Sequence, residues 1–174
     1  MNIRRCVHTA TLLPDGKVLV AGGINKSSVL PSSINSTEFY DPATGIWMEA
    51  DSLNNNRCQH TATLLLDGRV FVAGGRVYGG SEIYDPTTGK WLNTGGIQNE
   101  LHHTATLLPD GKVLVAGGKI DSGVTSISGV FYGDHDYDIL FPWHPVIDTV
   151  TSPLEIGSAL QVTGSELRGI SEAS

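Results

Sequence analysis

Apolar residues along this chain come in short bursts rather than long runs, and the bursts repeat. From Thr9 the chain reads Thr-Ala-Thr-Leu-Leu, then Pro14-Asp15-Gly16, then Lys-Val-Leu-Val-Ala and a glycine pair, Gly22-Gly23. Segments of this length, apolar and rich in β-branched side chains, predict strands. The Asp-Gly between them predicts a tight hairpin turn, because that dipeptide readily takes the positive φ angles such turns need. The closing glycines lack a Cβ and permit unusual φ or the close approach of a neighbouring backbone. The phrase HTATLLPDGKVLVAGG runs from His8 to Gly23 and recurs unchanged from His103 to Gly118. A middle copy, His60 to Gly75, differs only at Leu66, Arg69 and Phe71.

A second block follows two of the copies: FYDPATGIW at 39–47 and IYDPTTGKW at 83–91. Each predicts a strand ending at Tyr40 or Tyr84, a reversal through Asp-Pro-x-Thr-Gly, and a new strand from Trp47 or Trp91. Two hairpins in series make four strands. The copies of the first phrase begin 52 and then 43 residues apart. A period of roughly 40–50 residues built from short strands predicts the four-stranded blades of a β-propeller.

The combination of a double glycine after an apolar strand with a Tyr and a Trp seven positions apart resembles the kelch repeat. The resemblance extends over about residues 1–145, with two complete motifs and one altered one. The wording HTATLLPDG is similar to kelch blades of bacterial proteins related to the galactose oxidase central domain. In the third copy Val130-Phe131-Tyr132 aligns with the strands ending at Tyr40 and Tyr84, and Ile139 stands where tryptophan is expected. From Val146 the style changes to Val-Ile-Asp-Thr-Val and Ala159-Leu160-Gln161-Val162-Thr163-Gly164, two strands around a turn. That stretch is similar to the start of the Ig-like domain in galactose oxidase relatives and in IPT/TIG modules.

The expected fold is therefore all-β: a partial kelch-type propeller of three four-stranded blades (about 1–53, 54–96 and 97–145), then residues 146–174 as the truncated start of an Ig-like β-sandwich. Three blades do not close a ring, since propellers take about four to eight. The remaining stretch is short of the roughly 100 residues of an Ig sandwich. The chain is expected to be the carboxyl-terminal part of a larger propeller protein, with self-association through open blade edges, two copies making six blades, as the other reading.

Composition narrows the picture further. Among 174 residues there are 21 glycines and 17% charged residues, which suits a turn-rich globular β-protein. Net charge is −7 with no basic cluster, which argues against a nucleic-acid partner. No run of eighteen apolar residues exists, so no transmembrane helix is expected. The amino terminus Met1-Asn2-Ile3-Arg4-Arg5 is not followed by an apolar stretch of signal-peptide length. An extracellular setting is implied by the family resemblance alone. Cys6 and Cys58 occupy equivalent repeat positions, which accounts for both without a disulfide.

Candidate chemistry is sparse. His8, His60 and His103 begin the innermost strands, and a ring of histidines near a channel could coordinate a metal. Their recurrence in every blade instead favours hydrogen bonds within a blade or to the next one. Asp134, Asp136 and Asp138 alternate as in a calcium loop, but Ile139 and Pro145 stand where glycine and glutamate belong, so a solvated turn is expected. Resemblance to galactose oxidase implies a copper site containing an adjacent Tyr-His pair. Tyr40, Tyr78, Tyr84, Tyr132 and Tyr137 are all followed by another residue, so no copper ligand is assigned. No nucleotide loop, serine elbow or His-Glu-x-x-His element occurs. No catalytic, metal or cofactor residue is expected.

Residues that differ between repeats are better candidates for binding, since loops on a regular scaffold vary where they meet partners. The loops from second to third strand, 24–36, 76–80 and 119–128, differ in length, and the connections between blades differ in sequence. They supply the candidate partner-binding residues Asn25, Lys26, Arg76, Tyr78, Lys119, Asp121, Asn55, Arg57 and His102. The expected function is a non-catalytic kelch-repeat binding or scaffold module presenting these loops to a protein or carbohydrate partner. The alternative is the carboxyl-terminal propeller portion of a secreted, galactose oxidase-like copper oxidoreductase whose catalytic residues lie outside this segment.

Overall fold

The computed structural model describes residues 1–25, 32–75, 80–95, 101–120, 123–124, 128–131 and 137–140. The chain divides into units Met1–Pro142 and Trp143–Ser174, and all described residues belong to the first. The expected Ig-like strands from residue 146 lie outside them.

Each repeat folds as one four-stranded antiparallel sheet. Blade 1 contains β1 (Thr9–Leu12) and β2 (Val18–Ala21), a small hairpin of β3 (Ile24–Asn25) and β4 (Ser32–Ser33), then β5 (Thr37–Asp41) and β6 (Ile46–Ala50). Its sheet order is β1-β2-β5-β6. Blade 2 follows with β7 (Thr61–Leu64), β8 (Val70–Ala73), β9 (Ser81–Asp85) and β10 (Lys90–Gly95). Blade 3 contains β11 (Thr104–Leu107), β12 (Val113–Ala116), the hairpin β13 (Lys119–Ile120) with β14 (Gly123–Val124), then β15 (Ser128–Phe131) and β16 (Tyr137–Leu140). The first strands are innermost, with β7 lying against both β1 and β11.

Alternation along the middle strands decides what the blades bury. Successive side chains of a strand point to opposite faces, so one set meets the blade before and the other the blade after. Leu19 of blade 1 shares a core with Val70, Val72, Tyr84 and Trp91 of blade 2. Phe71 and Ile83, on the other face of blade 2, share a second core with Val113, Val115 and Phe131 of blade 3. Phe71 and Phe131 stack with centroids 4.2 Å apart. Each such side chain contributes about 1.5–3 kcal/mol when fully buried. The cores therefore lie between blades, and adjacent blades stabilise each other.

The first glycine of the pair serves the same junction. A Cβ on Gly22 would lie 2.5 Å from the carbonyl oxygen of Arg57, at the start of blade 2, so nothing larger fits. The Tyr–Trp pair fills the outer part of a blade. Tyr84 is paired across the ladder with Trp91, with rings 5.2 Å apart, and Trp91 Nε1 donates to Asp51 O of the previous connection at 2.9 Å.

Two expectations need correction. In the Asp-Gly turns only the glycine takes positive φ, +86° at Gly16; the aspartate does not. The loop is longer than a two-residue turn: Gly16 N donates to Leu13 O at 3.0 Å, and Leu13 N to Lys17 O at 2.8 Å. Pro14 presets the second position of that turn, and Asp15 Oδ1 accepts from Lys17 N instead of reversing the chain itself.

The third repeat is also shifted by one residue from its apparent alignment. Val18 pairs with Tyr40 and Val70 with Tyr84, but Val113 pairs with Phe131. Phe131, not Tyr132, therefore takes the tyrosine position, and its ladder partner, in the place of Trp47 and Trp91, is Tyr137. Backbone ladder bonds and the fit of Phe131 against Phe71 set this register, whereas matching Tyr to Tyr by eye does not. Cys6 and Cys58 are free thiols.

Candidate functional site

Most of the repeated polar residues turn out to be committed inside the arc. In blade 2 the segment Asn54–Arg57 crosses the blade and plugs into Glu82, the second residue of β9. Arg57 Nη2 lies 2.6 Å from Glu82 Oε1, and both side chains are fully buried. Arg57 Nη1 also donates to Gly74 O and Gly80 O at 2.8 and 3.1 Å. Glu82 accepts further bonds from Asn54 N and Asn55 N at 2.6 and 3.2 Å. Blade 1 repeats the arrangement: Arg5 Nη2 lies 2.9 Å from Glu38 Oε2, with Asn2 N bonded to the same carboxylate at 2.6 Å. Burying such a pair is tolerable only because hydrogen bonds surround both charges.

Blade 3 lacks both partners. Leu101 bridges to Lys119 as Cys6 does to Ile24, and in sequence Leu101 is preceded by a glutamate where Cys6 and Cys58 are preceded by Arg5 and Arg57. Val115 pairs with Gly129, where Val20 and Val72 pair with Glu38 and Glu82. Losing acid and base together avoids leaving either charge buried alone.

The histidines join neighbouring blades. His60 Nε2 lies 2.9 Å from Thr9 Oγ1 of the preceding blade, and His103 Nε2 lies 2.9 Å from Thr61 Oγ1. The expected interblade bond is present, but it runs backwards along the chain rather than forwards. Burial pushes the His60 pKa down to about 3, with the positive Arg57 adding to the effect. The imidazole is thus neutral across physiological pH. The Nε2 atoms of His60 and His103 are engaged by threonines of the preceding blade.

One position before each histidine, the backbone takes a conformation that no residue type in the sequence signals. Val7, Gln59 and His102 all have φ near +58°. A β-branched residue such as valine in this left-handed region is a true outlier, at a cost of order 1 kcal/mol. The conformation recurs with three different side chains, so the blade architecture imposes it. The three residues stand beside one another where the chain turns into β1, β7 and β11. Gln59 N donates to Val7 O at 3.3 Å, and the Gln59 side-chain amide donates to His102 Nε2 at 3.0 Å. Val7 is 45% exposed and His102 is exposed too. Together they make a rim of unlike side chains on like backbone, at one end of the innermost strands. The available signal was variation at a fixed offset from the invariant histidine.

The residues selected from the sequence fall into three groups. Lys26, Arg76, Tyr78 and Asp121 lie outside the described residues, as do Asp134 and Asp136 and the side chain of Asp138. Arg57 belongs to the blade interior and presents no side chain to a partner. Asn55 is half-buried and holds Glu82 through its backbone, which gives it a structural role. The third group is His102 on the rim, with exposed Lys119 and half-buried Asn25 on the second-to-third strand hairpins.

Comparison with known families finds the Kelch motif over residues 5–54, the stretch holding blade 1 and its Arg–Glu plug. No curated protein matches the chain. Among solved structures, one described as "Structure of YjhT" is similar with a TM-score of 0.67 at 19% identity. The match covers 86% of this chain and 53% of that one, so the chain spans about half the length of the structure it resembles. Sheets, junctions and motif agree: the described residues form three β-propeller blades, the first of which carries a Kelch motif.

Proposed function

We propose that this chain is a non-catalytic kelch-repeat module that binds a protein or carbohydrate partner at the rim formed by Val7, Gln59 and His102, with the adjoining strand hairpins as its flanks. The observation that carries this reading is the division of labour among its residues. The repeated Arg–Glu pairs, with His60, His103, Thr9, Thr61 and Trp91, are consumed by blade-internal and interblade bonds. What remains exposed on fixed backbone is the set that differs from blade to blade. An amide and an imidazole at 3.0 Å offer both donors and acceptors to a ligand without strong charge.

A panel of defined oligosaccharides and a displayed peptide library, followed by calorimetry on any binder, tests the proposal. The expected result is a ligand from one of the two classes whose affinity drops roughly tenfold or more in Gln59→Ala/His102→Ala, with the unfolding midpoint unchanged. Binding that is indifferent to this variant, or no binder in either library, overturns it.

A further inference from the structure

We propose that the two end faces of the arc dock on each other between two copies of this chain, closing a head-to-tail ring of six blades. The argument comes from the two junctions already formed. At each, a threonine from the earlier blade meets the histidine of the later one: Thr9 with His60, and Thr61 with His103, both at 2.9 Å. At the first junction the backbone of Arg57 seats against the glycine pair, with Gly23 N donating to Arg57 O at 2.8 Å.

The outer faces of blades 1 and 3 carry the same parts, unmatched among the described residues. On blade 3, Thr104 is exposed and turns back to Ala116 O of its own sheet at 3.4 Å. Nothing lies within 4 Å of a Cβ built on Gly117, the counterpart of the crowded Gly22. Leu114 is half-buried, whereas its counterparts Leu19 and Phe71 are 1% and 0% exposed. On blade 1, His8 is exposed and has no threonine partner. Leu12 is 63% exposed, while its counterparts Leu64 and Leu107 pack on the two cores.

Each end thus offers what the other lacks: a threonine, an open glycine and an apolar face at one end, a histidine and an apolar face at the other. A second copy supplies both complements at once, and a heterologous contact that closes after two copies leaves no end exposed. The matched part of this chain spans 53% of the similar solved chain, so two copies supply about the length of one such chain.

Light scattering on the purified 174-residue chain should give twice its 18.5 kDa mass. A persistent monomer, or an open series of larger species, overturns the proposal. His8→Ala should weaken the dimer roughly tenfold, since both junctions lose a hydrogen bond. The decisive arm uses Leu12→Lys and Leu114→Asp in separate chains. Their counterparts Leu64 and Leu19 share one core. Each variant alone should be a folded monomer by circular dichroism, and mixing the two should restore a dimer, because one junction regains an opposite-charge pair and the other is wild type. A mixture that stays monomeric, or a single variant that still dimerises, refutes head-to-tail closure.

Discussion

Replacing Arg57 by methionine keeps the length of the side chain and removes its charge and its donors. Glu82 then stays fully buried with its remaining bonds from Asn54 and Asn55, and the carbonyls of Gly74 and Gly80 lose their donor. Breaking a buried pair by removing one member costs about 3–5 kcal/mol, because an uncompensated charge is left behind. That is a large share of the roughly 5–15 kcal/mol that holds a domain together. Glu82→Gln in the same chain removes the orphaned charge and keeps an acceptor for the asparagine amides. The double variant should therefore be no less stable than Arg57→Met alone, with a coupling of about 2 kcal/mol or more between the two sites. Urea unfolding followed by tryptophan fluorescence measures Arg57→Met, Glu82→Gln alone and the double variant, with Trp91 bonded close to the same connection. A cost below about 1 kcal/mol for the single change, or simple additivity in the double, would mean the pair does not act as a unit.

Three further outcomes are expected. Trp91→Ala should cost about 3–5 kcal/mol, and Trp47→Ala distinctly less at concentrations where the chain is monomeric, because Trp91 is 5% exposed and Trp47 only half-buried. Equal losses would show that the face of blade 1 is covered. Leu66→Pro should stabilise the chain by about 0.4–1 kcal/mol, since Pro14 and Pro109 occupy the same turn position and Leu66 is 72% exposed; a lower unfolding midpoint would count against the turn geometry. His60 binds a proton near pH 6.5 when unfolded but only near 3 when folded. Its contribution is complete above pH 6.5 and declines as pH falls towards 3, by about 1.4 kcal/mol per unit. His60→Gln should flatten stability between pH 6 and 5, and an unchanged slope would place the imidazole in water.

Much of the fold was legible because its code is local. Apolar bursts of strand length, a turn glycine at Gly16 and a tyrosine paired with a tryptophan are decisions made within ten residues. The site was less legible. His102 stands out in the sequence because it breaks the repeat, but Val7 and Gln59 do not, since a positive φ on a valine has no compositional signal. Arg57 looked like a variable connection residue. Its commitment to Glu82, 25 positions on, appears only when the ladder between β8 and β9 brings them together. The joint absence of both partners from the third repeat was the one trace of that link in the sequence.

The sequence by itself determined the blades, their number in this chain and the turns that join their strands, because hydrophobic alternation and turn chemistry act between near neighbours. Tertiary structure alone decided the backward reach of each histidine, the burial of the ion pairs and the register of the third blade. Those depend on which faces meet and on which backbone groups are left to bond. Such choices are made by packing between segments far apart in the chain, where a residue's neighbours in sequence have no say.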